Sequence, residues 1–212
     1  MSMKEIPFYP NLEDNNHCVL AVFKSLIEYF LDKELSWEEI EKLACYQPEK
    51  GVWSLPLHVF LAQHKVEILN IEPFRYAQFY RHGEEYLLEI FDSETVNYYL
   101  NQSNLISIRN QIPEFLKMIH HIERRGTIED IQKMLSDGYL VVAEVNYNIL
   151  HNKPGFVPHL ILIKSQQDHS FIVNDPGMPA REDFNYPIGI IKQAIGEEGA
   201  NGEISGLKLK TK

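Results

Sequence analysis

The sequence has few cysteines, fewer basic than acidic residues and no apolar run long enough to cross a membrane, and each shortage excludes a class of protein. Two cysteines among 212 residues, Cys18 and Cys45, are too few for a disulfide-stabilised secreted scaffold. The cysteines and histidines form no CxxC or HxxxH pair, so we expect no zinc or other metal site and no cofactor. Twenty basic residues against 30 acidic ones give a formal net charge of −10, which argues against a nucleic acid partner.

Charged or polar residues interrupt the longest apolar segments, so the sequence predicts no transmembrane helix and no membrane partner. Residues 1–7 lack the apolar stretch of a secretory signal, and we therefore expect a cytoplasmic protein. Hydrophobic residues make up 44% of the chain and charged residues 24%, which is typical of a globular protein with a substantial core. No pattern in the sequence specifies an oligomeric state.

Helical patterns dominate residues 1–72. The segment that begins at Cys18 is apolar around most of its circumference, which indicates a buried helix with Asn15 or Asn16 as its N-cap. The residues SWEE at 36–39 form a capping box, which marks the start of a second helix. The elements predicted here are helices over 18–31, from Ser36 to about Cys45 and from about Ser54, followed by a strand over 66–71.

Residues 73–126 are rich in aromatic side chains and have mainly helical patterns. His120 and His121 are expected on the surface of one of these helices. We interpret the stretch as a helical insertion, with its rings packed in a core, inside a single domain that spans 1–212. The alternative is that the rings form one wall of a substrate groove, since aromatic side chains suit peptide-binding surfaces.

Strand patterns dominate the remainder of the chain. A capped helix that starts after Thr127 and a turn at Gly138 precede the first of these strands. The predicted elements are a helix to about 136, strands over 139–145, 159–164, 170–174 and 204–209, a hairpin turn over 166–169, and a short helix over 187–195. Helices followed by an antiparallel sheet indicate the α+β class.

Three residues suited to nucleophilic catalysis lie at the ends of predicted elements. Cys18 begins a helix, where unpaired N–H groups and the helix dipole stabilise a thiolate. His159 begins one strand, and Asp175 ends the next. A thiol, an imidazole and a carboxylate in this order suggest the site of a cysteine peptidase. His17 is an alternative base, and Asn174 is an alternative partner for the imidazole.

This arrangement resembles the papain-like cysteine peptidases, and within them cysteine peptidase family 39, the bacteriocin-processing peptidases and their relatives. The likeness covers about 6–72 and 127–177. The segments that carry it are IPFYPN at 6–11, Cys18 with the helix after it, GVWSLP at 51–56, IQKMLSDG at 131–138, PHLILI at 158–163 and NDPG at 174–177.

The resemblance implies a papain-like fold, with N-terminal helices packed on a C-terminal antiparallel sheet, and a peptide or protein as substrate. It implies that Cys18 attacks a carbonyl carbon to form a thioester, that His159 transfers protons, and that Asp175 orients the imidazole. Asn11 aligns with the family's glutamine, whose amide supplies one donor of the oxyanion hole beside the backbone N–H of Cys18.

Two positions depart from the family pattern. Val19 stands where a glycine is usual, and Asn11 replaces the usual glutamine. The asparagine side chain is one methylene shorter and its amide reaches less far, so Asn15 and Asn16 are alternative donors. The sequence therefore predicts a cysteine peptidase or amidase. The alternatives are an acyltransferase on the same fold and a catalytically inactive relative that binds a peptide or protein.

Overall fold

The computed structural model describes residues 5–196 and 202–210, which form a seven-stranded sheet with helices on both faces. The strands are β1 (Val66–Ile71), β2 (His120–Ile122), β3 (Leu140–Asn146), β4 (Pro158–Gln167), β5 (Ser170–Asp175), β6 (Arg181–Pro187) and β7 (Ile204–Leu209). The helices are α1 (Cys18–Leu31), α2 (Trp37–Leu43), α3 (Leu55–Gln63), α4 (Tyr76–His82), α5 (Glu84–Ile90), α6 (Ser93–Asn101), α7 (Leu105–Ile108), α8 (Ile112–Met118), α9 (Ile128–Ser136), α10 (Tyr147–Leu150) and α11 (Ile188–Gly196).

The strand order across the sheet is β2-β1-β7-β3-β4-β5-β6. Neighbouring strands are antiparallel except β1 and β2, which are parallel. The α+β class is confirmed, although the sheet also takes β1 from the N-terminal part of the chain. β7 inserts between β1 and β3, so the first and last strands of the chain lie side by side.

Local capping signals start two of the helices where the sequence predicts them. Ser36 accepts a hydrogen bond from the backbone N–H of Glu39, whose side chain accepts one from Ser36 N–H, and Thr127 and Asp130 form the same reciprocal pair at α9. The prediction of an asparagine cap for α1 is wrong. Its N-cap is His17, whose side chain makes no capping bond.

Three elements differ from the sequence-based expectation. His120 and His121 lie in the edge strand β2, not on a helix; the His121 ring is hydrogen-bonded to the side-chain oxygen of Asn70 at 2.5 Å and to a backbone carbonyl at 3.1 Å. The strand β6 and the short helix α10 were not predicted. β6 has one buried residue, Tyr186, so it lacks the alternation of apolar and polar residues that marks a strand.

Side chains on the two faces of the sheet belong to two separate hydrophobic clusters. Along β4, Leu160 and Leu162 belong to the cluster with α1, α3 and α8, whereas Ile161 and Ile163 belong to the cluster with α9 and α11. Helices α4 to α8, which occupy most of residues 73–126, contribute to the first cluster. The division into one domain with an insertion stays a prediction.

Packing of α1 against β4 fixes the position of the N-terminus of the helix. The middle of α1 is fully buried, with Leu20, Phe23 and Leu26 inaccessible to solvent. Because this contact leaves the helix little freedom to slide, it determines where Cys18 lies relative to the start of β4. Among the helices of the described residues, none is long and apolar enough to cross a bilayer.

Candidate active site

The structure brings Cys18, His159 and Asp175 together at one end of the sheet. Cys18 is the first residue of α1, His159 is the second residue of β4, and Asp175 is the last residue of β5. β4 and β5 form a hairpin through Asp168 and His169, with Leu162 paired to Asn174. The hairpin therefore sets the imidazole and the carboxylate on adjacent strands, and α1 places the thiol beside them.

Hydrogen bonds connect the three side chains in series. The Nε2 atom of His159 lies 2.7 Å from Oδ1 of Asp175, and the Cys18 thiol is hydrogen-bonded to the same imidazole. His159 and Asp175 are buried, whereas Cys18 is partly exposed. Cys18 can therefore meet a ligand, while most of the imidazole and all of the carboxylate behind it are buried.

The surroundings of Cys18 favour its thiolate form. Burial is the largest single effect and by itself raises the pKa of the thiol, but the hydrogen bond and positive charge of His159 and the backbone N–H groups of Leu160 and Val19 together outweigh it. The net result is a Cys18 pKa below its ordinary value, as expected for a sulfur at a helix N-terminus beside an imidazolium.

The imidazole and the carboxylate stabilise each other's charged forms. Burial lowers the pKa of His159, but the hydrogen bonds with Asp175 and Cys18 reverse the effect and raise that pKa to about 9. Burial raises the pKa of Asp175, yet His159, the N–H of Gly177 and the hydroxyl of Tyr186 together hold it below its ordinary value. The arrangement thus favours the charged forms of all three groups: thiolate, imidazolium and carboxylate.

The Asp175 carboxylate accepts hydrogen bonds from two donors that the sequence did not predict. Its Oδ1 atom accepts a hydrogen bond from Gly177 N–H at 2.8 Å, and its Oδ2 atom accepts one from the Tyr186 hydroxyl at 2.8 Å. Arg181 donates to the same hydroxyl at 2.8 Å and lies 3.1 Å from Nδ1 of His151. Only the two aromatic residues of β6 could have drawn attention to this strand, whose other side chains are mostly polar.

Asn11 anchors the loop that precedes α1. Its backbone N–H donates to the carbonyl of Pro176 at 2.8 Å, which connects the loop to the segment after Asp175. Its side-chain oxygen accepts a bond from His17 N–H at 2.7 Å, and its amide group donates to Asn15 at 3.0 Å. Asn11 is buried, whereas Asn15 is exposed and lines the cleft beside Cys18.

The alternative base and the alternative orienting residue have other partners. The two ring nitrogens of His17 lie 2.9 Å from an Asp14 oxygen and 3.0 Å from a Glu41 oxygen, so neither faces the Cys18 thiol. The side-chain oxygen of Asn174 accepts a bond from Asp183 N–H at 3.0 Å. These contacts favour His159 and Asp175 as the partners of the thiol.

A cleft of about 720 Å³ opens at the thiol. Cys18 and His159 line it, together with aromatic side chains of Trp53, Tyr98 and Tyr99. Tyr98 and Tyr99 come from the stretch interpreted as an insertion. Some of its rings therefore form a groove wall, while others, such as Phe79 and Phe115, are fully or almost fully buried in the core. In the part of the chain that the structure describes, no group of three His, Cys, Asp or Glu side chains is arranged to hold a metal ion.

Comparisons with known proteins identify the fold. No protein-family profile matches the sequence, and no curated protein does so. A solved structure, the peptidase domain of Streptococcus ComA, a bifunctional ABC transporter involved in a quorum-sensing pathway, matches with a TM-score of 0.51 at 10% identity, over 97% of this chain and 100% of that chain. The chain therefore has the α+β fold of a papain-like peptidase domain, as the sequence resemblance predicts.

Proposed function

We propose that the protein is a cysteine peptidase or amidase that cleaves a peptide-like amide through a thioester on Cys18. The observation that carries the proposal is the hydrogen-bonded series of thiol, imidazole and buried carboxylate at the head of a cleft. Such a series activates a nucleophile, because the imidazole accepts the thiol proton and the carboxylate stabilises the resulting imidazolium. Similarity of the fold to a peptidase domain supports the same reaction class.

In the proposed reaction the Cys18 thiolate attacks the carbonyl carbon and forms a tetrahedral oxyanion. The backbone N–H of Cys18 and the Asn11 amide stabilise this oxyanion. The imidazolium of His159 then protonates the departing amine as the carbon–nitrogen bond breaks, which leaves a thioester. His159 next takes a proton from water, whose oxygen attacks the thioester and releases the acid and the thiol. If an amine replaces water in the last step, the same residues perform acyl transfer.

Alkylation by iodoacetamide tests the proposal with an internal control. Cys45 is the second free cysteine, it is partly exposed like Cys18, and it has an amide of Gln111 beside its sulfur in place of an imidazole. At pH 7 we expect Cys18 to be alkylated at least tenfold faster than Cys45, because its lowered pKa increases the thiolate fraction. Peptide mass spectrometry measures both rates in one sample. Equal rates would overturn the enzymatic proposal and favour a binding protein.

Product masses separate hydrolysis from transfer. Incubation with a peptide library, with and without an added primary amine, is expected to give free acids in both samples. Amides formed with the added amine would instead indicate the acyltransferase. Matched incubations with the Cys18→Ala protein identify products that depend on the thiol.

A further inference from the structure

Three glutamates form a row across the cleft floor next to the Cys18 site. On β3, Glu144 pairs with Leu160 of β4, the residue after His159. Glu203 precedes β7, and its carbonyl accepts a hydrogen bond from Glu144 N–H at 2.9 Å. Glu72 follows β1, one residue beyond the pair formed by Ile71 and Ile204. The three therefore occupy matching positions in β3 and next to the ends of its neighbours β7 and β1.

The side chains of this row lie on the face of the sheet that carries the thiol. The residues next to them along the strands, Ala143, Val145, Ile204 and Ile71, belong to the cluster on the opposite face. Because side chains alternate between faces along a strand, the glutamates lie on the side of α1 and line the cleft. With about 4.8 Å between strands, the row extends roughly 5 to 15 Å from the strand that bears His159.

Glu203 is a buried carboxylate with neutral partners. Its side chain is 8% exposed, and its Oε1 atom accepts a hydrogen bond from Ser54 at 2.9 Å. Asn70 and Ser205 approach the same oxygen at 3.5 Å. No lysine or arginine of the described residues forms an ion pair with it, and burial raises its pKa to about 7. A buried carboxylate without a counter-ion is destabilising, and a bound cation offsets part of that cost.

The rim of the cleft has the same sign of charge as its floor. Asp14, Glu49, Asp92 and Glu94 add four carboxylates to the lining, against the single ammonium group of Lys50 among the described lining residues. Like charges along a concave surface attract oppositely charged ligands and repel ligands of their own sign. The acidity of the whole chain is thus concentrated where a substrate would enter.

We propose that the cleft selects peptides that carry a cationic side chain, with the ammonium or guanidinium group bound by Glu203 and Glu144 next to the reacting carbonyl. This inference rests on the proposed function, since it names the substrate class of the same site. An extended peptide advances roughly 3.3 to 3.6 Å per residue, so a lysine or arginine at or beside the attacked residue can reach the glutamate row.

Peptidyl acyloxymethyl ketones that differ in one side chain test whether the cleft selects cationic side chains. Arginine, citrulline and glutamate are placed next to the electrophile; citrulline has the shape of arginine without its charge. We expect Cys18 in the full chain to be alkylated about tenfold faster by the arginine compound than by the citrulline compound, and slowest by the glutamate compound. The arginine preference is expected to decline at high ionic strength, because salt screens the attraction. Intact-protein mass spectrometry gives the rates.

Two isosteric variants show which carboxylates produce the preference for arginine over citrulline. Glu203→Gln and Glu144→Gln are each expected to lower the arginine-to-citrulline ratio several-fold. Glu89→Gln, which removes the same charge from an exposed position of α5 outside the cleft, is expected to keep the ratio. Thermal melting shows which variants are folded, and using two cleft variants keeps the test valid if one of them fails to fold.

The possible outcomes separate this inference from the proposed function. Equal rates with the arginine and citrulline compounds, in a protein whose Cys18 reacts quickly with iodoacetamide, would overturn the cationic selection alone. Slow alkylation of Cys18 by iodoacetamide would overturn the proposed function. A ratio that falls equally in the Glu89→Gln control would show an effect of total charge and would also overturn the assigned subsite.

Discussion

The hydroxyl of Tyr186 donates a hydrogen bond to Oδ2 of Asp175 at 2.8 Å, so the edge strand β6 is bonded directly to the carboxylate that contacts His159. Arg181, at the start of the same strand, donates to that hydroxyl. The Asp175 carboxylate therefore accepts bonds from both sides of its strand. Its orientation depends on β6 as well as on the hairpin of β4 and β5.

Replacing Tyr186 by phenylalanine removes one of the bonds that orient Asp175. We expect Tyr186→Phe to raise the pKa of Asp175, to destabilise the protein by about 1–3 kcal/mol and to shift the acid limb of Cys18 alkylation to higher pH. The shift follows because a less constrained carboxylate stabilises the imidazolium less well. Tyr139→Phe, which removes the hydroxyl that donates to Glu67, is the control. An unchanged pH profile with lower stability would show that Tyr186 stabilises the fold but does not affect the Cys18 thiolate.

Removing the imidazole is expected to raise the pKa of Cys18. In the wild type that pKa lies below 9.0, so the thiolate persists as the pH falls below this value. The imidazolium keeps its proton up to about pH 9, the pKa of His159, and the ion pair is lost above it. In His159→Gln, burial acts against the thiolate without this counter-charge. As the pH is lowered, the alkylation rate of the variant therefore begins to fall at a higher pH than that of the wild type. His17→Gln is expected to leave the profile of alkylation rate against pH unchanged.

Asn11 is predicted to have two separable roles, which matched variants distinguish. Asn11→Asp keeps an oxygen for His17 N–H but removes the amide donors, whereas Asn15→Ala removes the partner of that amide. If the Asn11 amide stabilises the oxyanion, hydrolysis of an activated nitrophenyl ester falls about 10²–10³-fold in Asn11→Asp. The expected loss in Asn15→Ala is small. Equal losses in both variants would contradict the oxyanion role and leave Asn11 as a loop anchor.

Gly177 leaves no room for a side chain beside the site. A Cβ atom there would lie 2.8 Å from Cε2 of Tyr147, 2.9 Å from Oδ1 of Asp175 and 3.3 Å from Nε2 of His159. Gly177→Ala is therefore expected to cost about 1–3 kcal/mol of stability and to slow alkylation of Cys18, since the imidazole and carboxylate must shift. Gly189→Ala, whose Cβ would have no atom of the described residues within 4 Å, is the control and should be at least as stable as the wild type. Chemical denaturation measures both.

His58 is expected to make the protein less stable in acid. It is 1% exposed and packs against Phe23 and Phe115. Neither ring nitrogen has a hydrogen-bond partner among the residues that the structure describes. Burial lowers the pKa of His58 from 6.5 to about 3. Between these values the unfolded chain binds a proton that the folded chain does not, so this residue lowers stability as the pH falls. The expected loss is about 1.4 kcal/mol per pH unit.

Urea denaturation at pH 7 and pH 5 measures this dependence. His58→Leu is expected to flatten it, because leucine fills the apolar site without a titrating group. His82→Leu, at an exposed position of α4, is expected to keep the slope of the wild type. A His58→Leu protein that loses stability in acid as steeply as the wild type would contradict the prediction.

Local sequence signals determined most of the helices and strands. The apolar periodicity after Cys18 predicts α1 from residue 18 to residue 31, and the capping boxes at Ser36 and Thr127 mark the starts of α2 and α9, as the structure has them. The apolar run after His159 likewise predicts β4. These elements were predictable because hydrophobic periodicity and capping depend on residues within a few positions of one another. The same local signals place Cys18, His159 and Asp175 at the ends of predicted elements.

Tertiary structure alone decided which strands pair and which side chains meet. β7 enters the sheet between β1 and β3, and this pairing places Glu203 between Glu72 and Glu144. The edge strand β6 carries Tyr186 to Asp175 although its exposed polar residues give no strand signal. Pairing between distant segments depends on how the whole chain buries its apolar faces, and no short stretch of sequence contains that information. The sequence by itself therefore determined the elements and the candidate nucleophile, whereas the fold determined the partners that surround it.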